Sequence, residues 1–274
     1  TTGGSIATVT KSGSNEFHGS VFFIERDEDD VGELFDQEFA EFSEETKGFT
    51  FSGPIIEDKL FFFVGYEEFE SGLPALYGAA DSNFPNKAES ATEADIAELV
   101  RISKDRYGFD PGEFTGFTAP ETGEKTIIKL NANINDIHRA VFLYQSDEDS
   151  LPAGGYNRFS SNWVYYAPEI ERNSITLYSD WNDRLSTKVR YSTYEYLSDP
   201  YSPGLTIPEM TIYVGEDSIR LGGERYRAAN KIETSSDYIS FKATYDLGNH
   251  VVTAGIDYED TSLYNLFLSR PLPL

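Results

Sequence analysis

The chain has 274 residues, a formal net charge of -25 and no cysteine. The excess of acid argues against nucleic acid as a partner, because neutralising phosphates requires Lys and Arg, and the lack of cysteine excludes disulfides and thiolate metal sites. No apolar run approaches the roughly 20 residues of a transmembrane helix, but a membrane strand needs only about 9–11 residues, so composition leaves a β-barrel open.

The first 47 residues contain little apolar sequence. Positions 1–15 are small and Gly-rich, with a strand-like stretch at Ile6–Thr10, and a strand is predicted from Ser20 to about Arg26. The acidic segment Asp27–Lys47 predicts a solvated loop. Its carboxylates lack the fixed spacing around a glycine that a calcium loop needs, so no metal site is predicted there.

The clearest hairpin is Gly48–Glu70, whose sequence is GFTFSGPIIEDKLFFFVGYEEFE. Its turn is Glu57–Lys59, and its second arm is an aromatic run that ends in acid. A two-stranded unit with this much apolar surface is not stable alone. The hairpin therefore predicts a larger sheet.

A long connection, Ser71–Lys125, follows and contains a predicted helix at Thr92–Tyr107. Thr92 can cap this helix, Asp95 stands at its third position, and Gly108 is a good terminator. Loops of this length in compact domains are normally functional or disordered. A helix within the loop indicates a folded lid, or a helix that only packs on the aromatic residues of its own loop, and the second interpretation is favoured over a contact with ligand.

Three further hairpins follow, and Thr126–Asn135 shows the pattern most clearly. Its apolar residues alternate with a polar face of Lys129, Asn131, Asn133 and Asn135. Such alternation is typical of a strand with one buried or lipid-covered face. The remaining predicted strands are His138–Asp147, Asn173–Trp181, Leu185–Leu197, Ser236–Leu247 and His250–Asn265, and Thr211–Val214 and Ser218–Leu221 are predicted to pair weakly within the loop Asp199–Glu233.

Short turns alternate with long acidic connections along the whole chain. This asymmetry is typical of transmembrane β-barrels, which have short periplasmic turns and long outer loops. A soluble barrel or sandwich would turn the apolar faces inward instead, and the alternation alone does not distinguish inside from outside. We predict an all-β fold: about nine strands of a larger antiparallel up-and-down transmembrane β-barrel, with long outer loops, one of which contains a short helix.

No catalytic constellation is present, so we predict no enzyme, no catalytic residue, no cofactor and no metal. His18, His138 and His250 each stand at a strand start or turn, and the chain has no nucleophile elbow, zinc helix or phosphate loop. Polar residues that would face a barrel lumen are weak candidates for ligand binding: Lys129, Asn131, Asn133, Lys188, Arg190 and Lys242. The alternative for the basic members is ordinary salt bridging inside a barrel.

Three stretches, in order, resemble TonB-dependent outer-membrane receptors. GGSIATVTKSGSNEFHGSVFF, from Gly3, is similar to the junction where the plug of such a receptor ends and its barrel begins. GFTFSGPIIEDKLFFFVGYEEFE resembles a hairpin of the Oar-like branch, with Ser52 where the first glycine of the family pattern stands. GNHVVTAGIDYEDTSLYNLFL, from Gly248, is similar to a later strand of that branch.

The resemblance implies a fragment, in which residues 1–15 end the plug and residues 16–274 form the first part of the barrel. It implies location in the outer membrane of a Gram-negative cell, with membrane lipid as a partner and TonB contacting a segment that this chain lacks. The implied periplasmic turns are Glu57–Lys59, Asp136–Ile137, Asn182–Arg184 and Gly248–Asn249. The implied outer loops are Asp27–Lys47, Ser71–Lys125, Glu148–Arg172 and Asp199–Glu233.

The resemblance also implies a function, energised import of a siderophore, vitamin, glycan or peptide through TonB. Two alternatives remain open at this stage. One is an outer-membrane barrel that binds a surface partner through its loops without transport. The other is an acidic secreted β-sandwich that serves as a binding module.

Overall fold

The computed structural model describes residues 10–30, 42–84 and 86–268. Most of the strand-like stretch at Ile6–Thr10, and the middle of the predicted loop Asp27–Lys47, therefore lie outside the described residues. The described part is built from strands, with one α-helix, α1 (Glu93–Tyr107). The strands are β1 (His18–Asp27), β2 (Ser43–Ile56), β3 (Leu60–Pro74), β4 (Tyr77–Gly78), β5 (Asn86–Lys87), β6 (Thr118–Asn133), β7 (His138–Ala153), β8 (Val164–Tyr166), β9 (Pro168–Asn182), β10 (Leu185–Ser198), β11 (Met210–Val214), β12 (Asp217–Leu221), β13 (Lys231–Asp246) and β14 (Val251–Leu266).

Nine long strands form one antiparallel meander. The order in the sheet is β1-β2-β3-β6-β7-β9-β10-β13-β14, and short β8 pairs with β7 beside this path. The number of long strands agrees with the prediction of about nine. In the described residues β1 and β14 are the two edges, so the sheet is open and does not close on itself.

All short turns lie at one end of the sheet and all long connections lie at the other. The turns join β2 to β3, β6 to β7, β9 to β10 and β13 to β14. Two of them use left-handed backbone, at Asp58 (φ 63°) and Gly248 (φ 88°), which an aspartate or glycine adopts more readily than most residues.

Several strands run further than the sequence predicts, and the connections are correspondingly shorter. β3 continues to Pro74 and β6 begins at Thr118, within the segment Ser71–Lys125 that was predicted as a connection. β7 likewise reaches Ala153. These extensions carry polar residues on both faces, so no alternation of apolar and polar residues marks them as strand.

The cross-strand register separates an apolar face from a polar face. One row of directly paired residues crosses seven strands on the apolar face: Phe62, Leu130, Phe142, Ile175, Tyr191, Ile239 and Tyr258. Ile175 is 52% exposed and Tyr258 is 62% exposed. A soluble monomer rarely exposes a contiguous apolar surface this wide.

Three long connections pack together into one folded unit beyond the sheet. We call this unit the loop layer: residues 75–84, 86–117, 154–167 and 199–230. Its core draws on all three connections, and Phe159 and Ile219 at its centre are 0% exposed. The buried members of the core are Ala88, Ala91, Phe109, Phe114, Phe159, Ile219 and Leu221.

Helix α1 lies in the loop layer, where a helix was predicted at Thr92–Tyr107. Thr92 and Asp95 form a capping box, in which each side chain accepts from the other residue's backbone N–H, and Gly108 (φ 63°) ends the helix in left-handed backbone. Ile96, Leu99 and Val100 pack against the core of the loop layer. No helix in the described ranges has both the length and the apolar character to cross a membrane.

A buried carboxylate ties two of the connections together. Asp217 is 4% exposed and accepts hydrogen bonds from the backbone N–H groups of Glu89 (3.1 Å), Ser90 (2.7 Å) and Ala91 (2.9 Å). Burial alone would raise the pKa of Asp217, but these three hydrogen bonds outweigh it and lower the pKa. Asp217 therefore stays ionised and holds residues 89–91 against β12.

We expect Asp217→Ala to loosen the loop layer while leaving the sheet intact. Each buried N–H left without an acceptor costs about 1–3 kcal/mol, so hydrogen–deuterium exchange of the amides at 89–91 should accelerate at least about tenfold. Glu216→Ala, at the exposed neighbour, is the matched control and should change nothing. Unchanged exchange at 89–91 in the Asp217 variant would contradict the assignment.

The same contact predicts a direction for its pH dependence. Because the folded pKa of Asp217 is lowered, its stabilisation is present above the unfolded pKa of about 4. The stabilisation is lost as the pH falls through the folded pKa. Protection of the amides at 89–91 should therefore be constant near neutral pH and decline only in acid.

Candidate functional site

The segment that precedes β1 lies on the polar face of the sheet. The Lys129 Nζ donates to the backbone carbonyl and to the hydroxyl of Thr10, both at 3.1 Å. Lys129 is only 8% exposed, and a buried ammonium is tolerated where such acceptors replace water. We call residues 10–17 the junction segment, because they lead from this contact to the first strand.

The junction segment is also held at the turn between β2 and β3. The Asn15 side-chain amide donates to Asp58 Oδ1 at 2.6 Å, and the Asp58 backbone N–H donates to Asn15 Oδ1 at 2.8 Å. A Cβ at Gly13 would lie 2.3 Å from the Phe62 carbonyl oxygen, so only glycine allows this close approach. These contacts explain why Gly13 and Asn15 stand in the sequence KSGSN.

The six predicted ligand-binding residues all lie on the polar face, but they fall into three groups. Lys129 contacts the junction segment. Asn133, Lys188 and Lys242 share one cross-strand row with Arg139 and Tyr178. Asn131 and Arg190 lie in the adjacent row, together with Val141, Thr176, Ser240 and Asp257.

Arg139, Tyr178, Lys188 and Lys242 form what we call the basic row. The Arg139 guanidinium carbon lies 4.8 Å from the centre of the Tyr178 ring, and the Lys188 Nζ lies 5.4 Å from it. The ring therefore separates two cations that would otherwise repel each other. The sequence prediction missed Arg139, although it stands two positions before Val141 on the polar face of β7, and strand alternation would have identified it.

The basic side chains of the polar face are short of acidic partners. Among the described residues, Arg139, Lys188, Arg190 and Lys242 lie in no ion pair within 4.0 Å, although Asp257 attracts Lys242 from a greater distance. Within the described residues, salt bridging at this distance therefore does not involve these four side chains.

Two polar atoms on the same face are buried without a hydrogen-bond partner. They are the Arg190 Nε and the Asn131 Oδ1. Buried polar groups in native structures nearly always have a partner, so each such atom indicates a contact with water or another molecule. The polar face is thus suited to bind a further polar group near Arg190.

His138 is held by contacts at the start of β7. The His138 Nδ1 lies 2.8 Å from the Ser179 hydroxyl, and its ring meets Trp181 edge-on, which is a structural arrangement at a strand start. Within the described ranges, no group of three or more His, Asp or Glu side chains could hold a metal ion.

Comparison with known proteins identifies the barrel. A family model described as outer membrane beta barrel domain matches residues 9–219. This chain belongs to that family. Over 178 residues it is also 44% identical to the TonB-dependent transporter Oar of Myxococcus xanthus, an alignment that covers 59% of this chain and 15% of the relative. No solved structure matches the chain.

Family membership decides which face of the sheet meets lipid. The protein is located in the outer membrane, where barrels turn an apolar band outward and a polar face inward. The row that includes Ile175 therefore contacts lipid, and the face that carries Lys129 and the basic row is interior. The comparisons do not favour the secreted β-sandwich alternative.

We expect Ile175→Arg to destabilise the barrel strongly and Ser174→Arg to have little effect. Ile175 points to lipid at the middle of β9, where an arginine costs about 2–4 kcal/mol, whereas the adjacent Ser174 faces the interior, paired with Leu143 and Ser192. Urea unfolding of the protein in lipid vesicles measures both.

Because Ile175 is half exposed, a soluble protein would tolerate either arginine within about 0.5 kcal/mol. Equal and small effects at positions 174 and 175 would therefore contradict the lipid-facing assignment. A larger effect at Ser174 than at Ile175 would reverse the two faces.

Proposed function

We propose that this chain forms the end of the plug and the first part of the barrel of a TonB-dependent transporter, which imports a ligand across the outer membrane. Residues 1–15 would end the plug and residues 16–274 would belong to the barrel wall. Further strands of the protein would close the sheet between β1 and β14. The chain spans about 15% of the length of its transporter relative. The transport activity of the whole protein is therefore part of the proposal.

The observation that carries the proposal is the course of the junction segment. Lys129 holds Thr10 on the interior face, and Asn15 holds the turn at Asp58. The junction segment leaves the interior face beside the turn between β2 and β3 and then enters β1. This course is what a plug connected to the inside of the barrel requires. Lys129 thus serves the junction, in place of the ligand contact suggested by the sequence.

The two ends of the sheet are assigned to opposite sides of the membrane. We place the short turns in the periplasm and the loop layer outside the cell, as in other outer-membrane barrels. TonB would contact a segment outside this chain. Ligand would be captured at the outer end and pass the basic row and Arg190 on the interior wall.

The proposal predicts that the full-length protein binds the energy-transducing partner. Full-length protein in detergent should be retained by immobilised periplasmic domain of TonB, and an unrelated porin purified in the same way should not. If the protein sediments with the outer membrane but TonB does not retain it, energised import is wrong, and a barrel without transport remains.

The absence of cysteine allows a direct test of orientation. Glu216→Cys, exposed in the loop layer, should react with a membrane-impermeant maleimide on intact cells, whereas Asp183→Cys, exposed in the turn between β9 and β10, should react only after the outer membrane is permeabilised. The two variants serve as controls for each other. Labelling of Asp183→Cys alone on intact cells would invert the proposed orientation.

A further inference from the structure

The loop layer contains a cavity whose charge is opposite to that of the chain. It has a volume of about 570 Å³, within the range typical of small-molecule sites, and three arginines line it: Arg158, Arg220 and Arg227. The chain as a whole carries a net charge of -25. Three guanidinium groups around one cavity are therefore not explained by composition.

The backbone places two of these arginines side by side. Arg158 and Arg220 form an isolated parallel bridge, in which the Arg220 N–H donates to the Asn157 carbonyl at 2.8 Å and the Phe159 N–H donates to the Arg220 carbonyl at 2.9 Å. Residues paired in this way project to the same side of the backbone. Like charges so placed repel each other, which destabilises the site unless an anion lies between them.

Two carboxylates lie close enough to attract Arg158, Glu209 and Glu224, and Glu224 itself lines the cavity, but both are also hydrogen-bonded by other groups. Glu224 Oε2 accepts from the backbone N–H groups of Tyr226 (3.1 Å), Arg227 (2.6 Å) and Ala228 (3.1 Å). Glu209 Oε2 accepts from the Asn162 side chain at 3.3 Å, and its other oxygen lies 4.0 Å from Arg225. In the described part of the chain, no ion pair within 4.0 Å includes Arg158, Arg220 or Arg227.

Arg158 is held in position by a buried amide. Its Nη1 donates to Asn162 Oδ1 at 2.8 Å, and Asn162, which is 0% exposed, donates to the Gly222 carbonyl at 3.0 Å. Burial lowers the pKa of Arg158 and repulsion from Arg220 lowers it further, while attraction from Glu209 and Glu224 offsets only part of this lowering. The guanidinium is thus fixed at one wall, with its charge incompletely compensated.

Aromatic side chains form part of the remaining wall, together with Glu224, Asn230 and Leu268. Tyr166, Tyr226 and Phe267 line the cavity beside the arginines. Rings around a cationic centre exclude water and strengthen the attraction between charges. The cavity therefore combines fixed cations with apolar walls, as sites for small organic anions do.

We propose that this cavity binds an anionic solute that carries two or more carboxylate or phosphate groups. Arg158 and Arg220 bind one anionic group through paired N–H donors, which is the geometry that guanidinium groups favour, and Arg227, which is exposed at the rim, binds a second. The claim that the cavity captures a ligand for import rests on the proposed function. The claim that it binds an anion does not.

The test is isothermal titration calorimetry on the full-length protein in detergent at low ionic strength, where the charges are least screened. Citrate and pyrophosphate are the anionic probes, and sorbitol is the neutral one. Citrate or pyrophosphate should bind saturably and sorbitol should not. Arg220→Gln and Arg227→Gln should each weaken binding about 10- to 100-fold, the effect of losing one charge-assisted hydrogen-bond pair.

Matched variants separate this site from general electrostatics. Arg106→Gln, on the exposed side of α1, removes the same charge outside the cavity and should leave the affinity unchanged. Arg220→Lys keeps the charge but loses the forked donors, so it should give an intermediate affinity. Because Arg227 is exposed, its replacement by Gln should not disturb folding, which melting temperature checks.

Three results would overturn the inference. One is the absence of binding of both anionic probes, and another is an equal loss of affinity in Arg106→Gln and Arg220→Gln. The third is binding restricted to lipopolysaccharide micelles, since the anionic group would then belong to a lipid headgroup and not to a solute. Retention by TonB is measured independently, so failure of the binding site and failure of the proposed import are distinguishable.

Discussion

The structure depends on one constraint, that each long strand meets lipid on one side and a polar interior on the other. Backbone N–H and C=O groups have no water to bond with in a bilayer, so every strand must pair with its neighbours along its length. Side chains of successive residues then point to opposite faces. From this follow the lipid-facing row through Ile175, the basic row through Lys188 and the placement of the junction segment on the inner face. A shift of register by one residue would exchange the two environments along a whole strand.

The sequence predicts the fold well wherever this constraint acts. The turns, the strand pairs and the interior position of Lys129 and Arg190 follow from alternation, and α1 follows from Thr92, Asp95 and Gly108. Prediction fails beyond the bilayer, where both faces of a strand are wet. There the register brings Glu68, Glu124, Glu148 and Glu169 directly opposite one another on adjacent strands. Glu68 lies in the predicted hairpin, but the other three lie in polar, acidic segments that were predicted as loops.

The arginine cavity could not have been predicted from local sequence. Arg158 and Arg220 come from different connections and meet only because the backbone of residues 157–159 pairs with Arg220. The same holds for Asp217, whose role is set by amides more than 120 residues earlier. Helix capping and strand alternation are sequence patterns within a single helix or strand, so they can be recognised locally. The contacts of Arg158, Arg220 and Asp217 depend instead on how three distant connections pack into one core. Arg139 is different, because alternation within β7 was sufficient to place it.

The electrostatic field of the acidic surface and that of the arginines in the cavity extend over different distances. This difference determines which anions would be selected. Exposed charges are screened beyond about 8 Å at physiological salt, so the net charge of -25 slows the approach of anions but is largely screened at the cavity. At the cavity, aromatic walls lower the local dielectric, so fixed guanidinium groups act more strongly at short distance. A singly charged anion contacts only Arg158 and Arg220, whereas a solute with two anionic groups also contacts Arg227. The arrangement therefore favours multiply charged solutes over the small monovalent anions that are abundant outside a cell, and Arg190 and the basic row continue the positive potential on the interior wall.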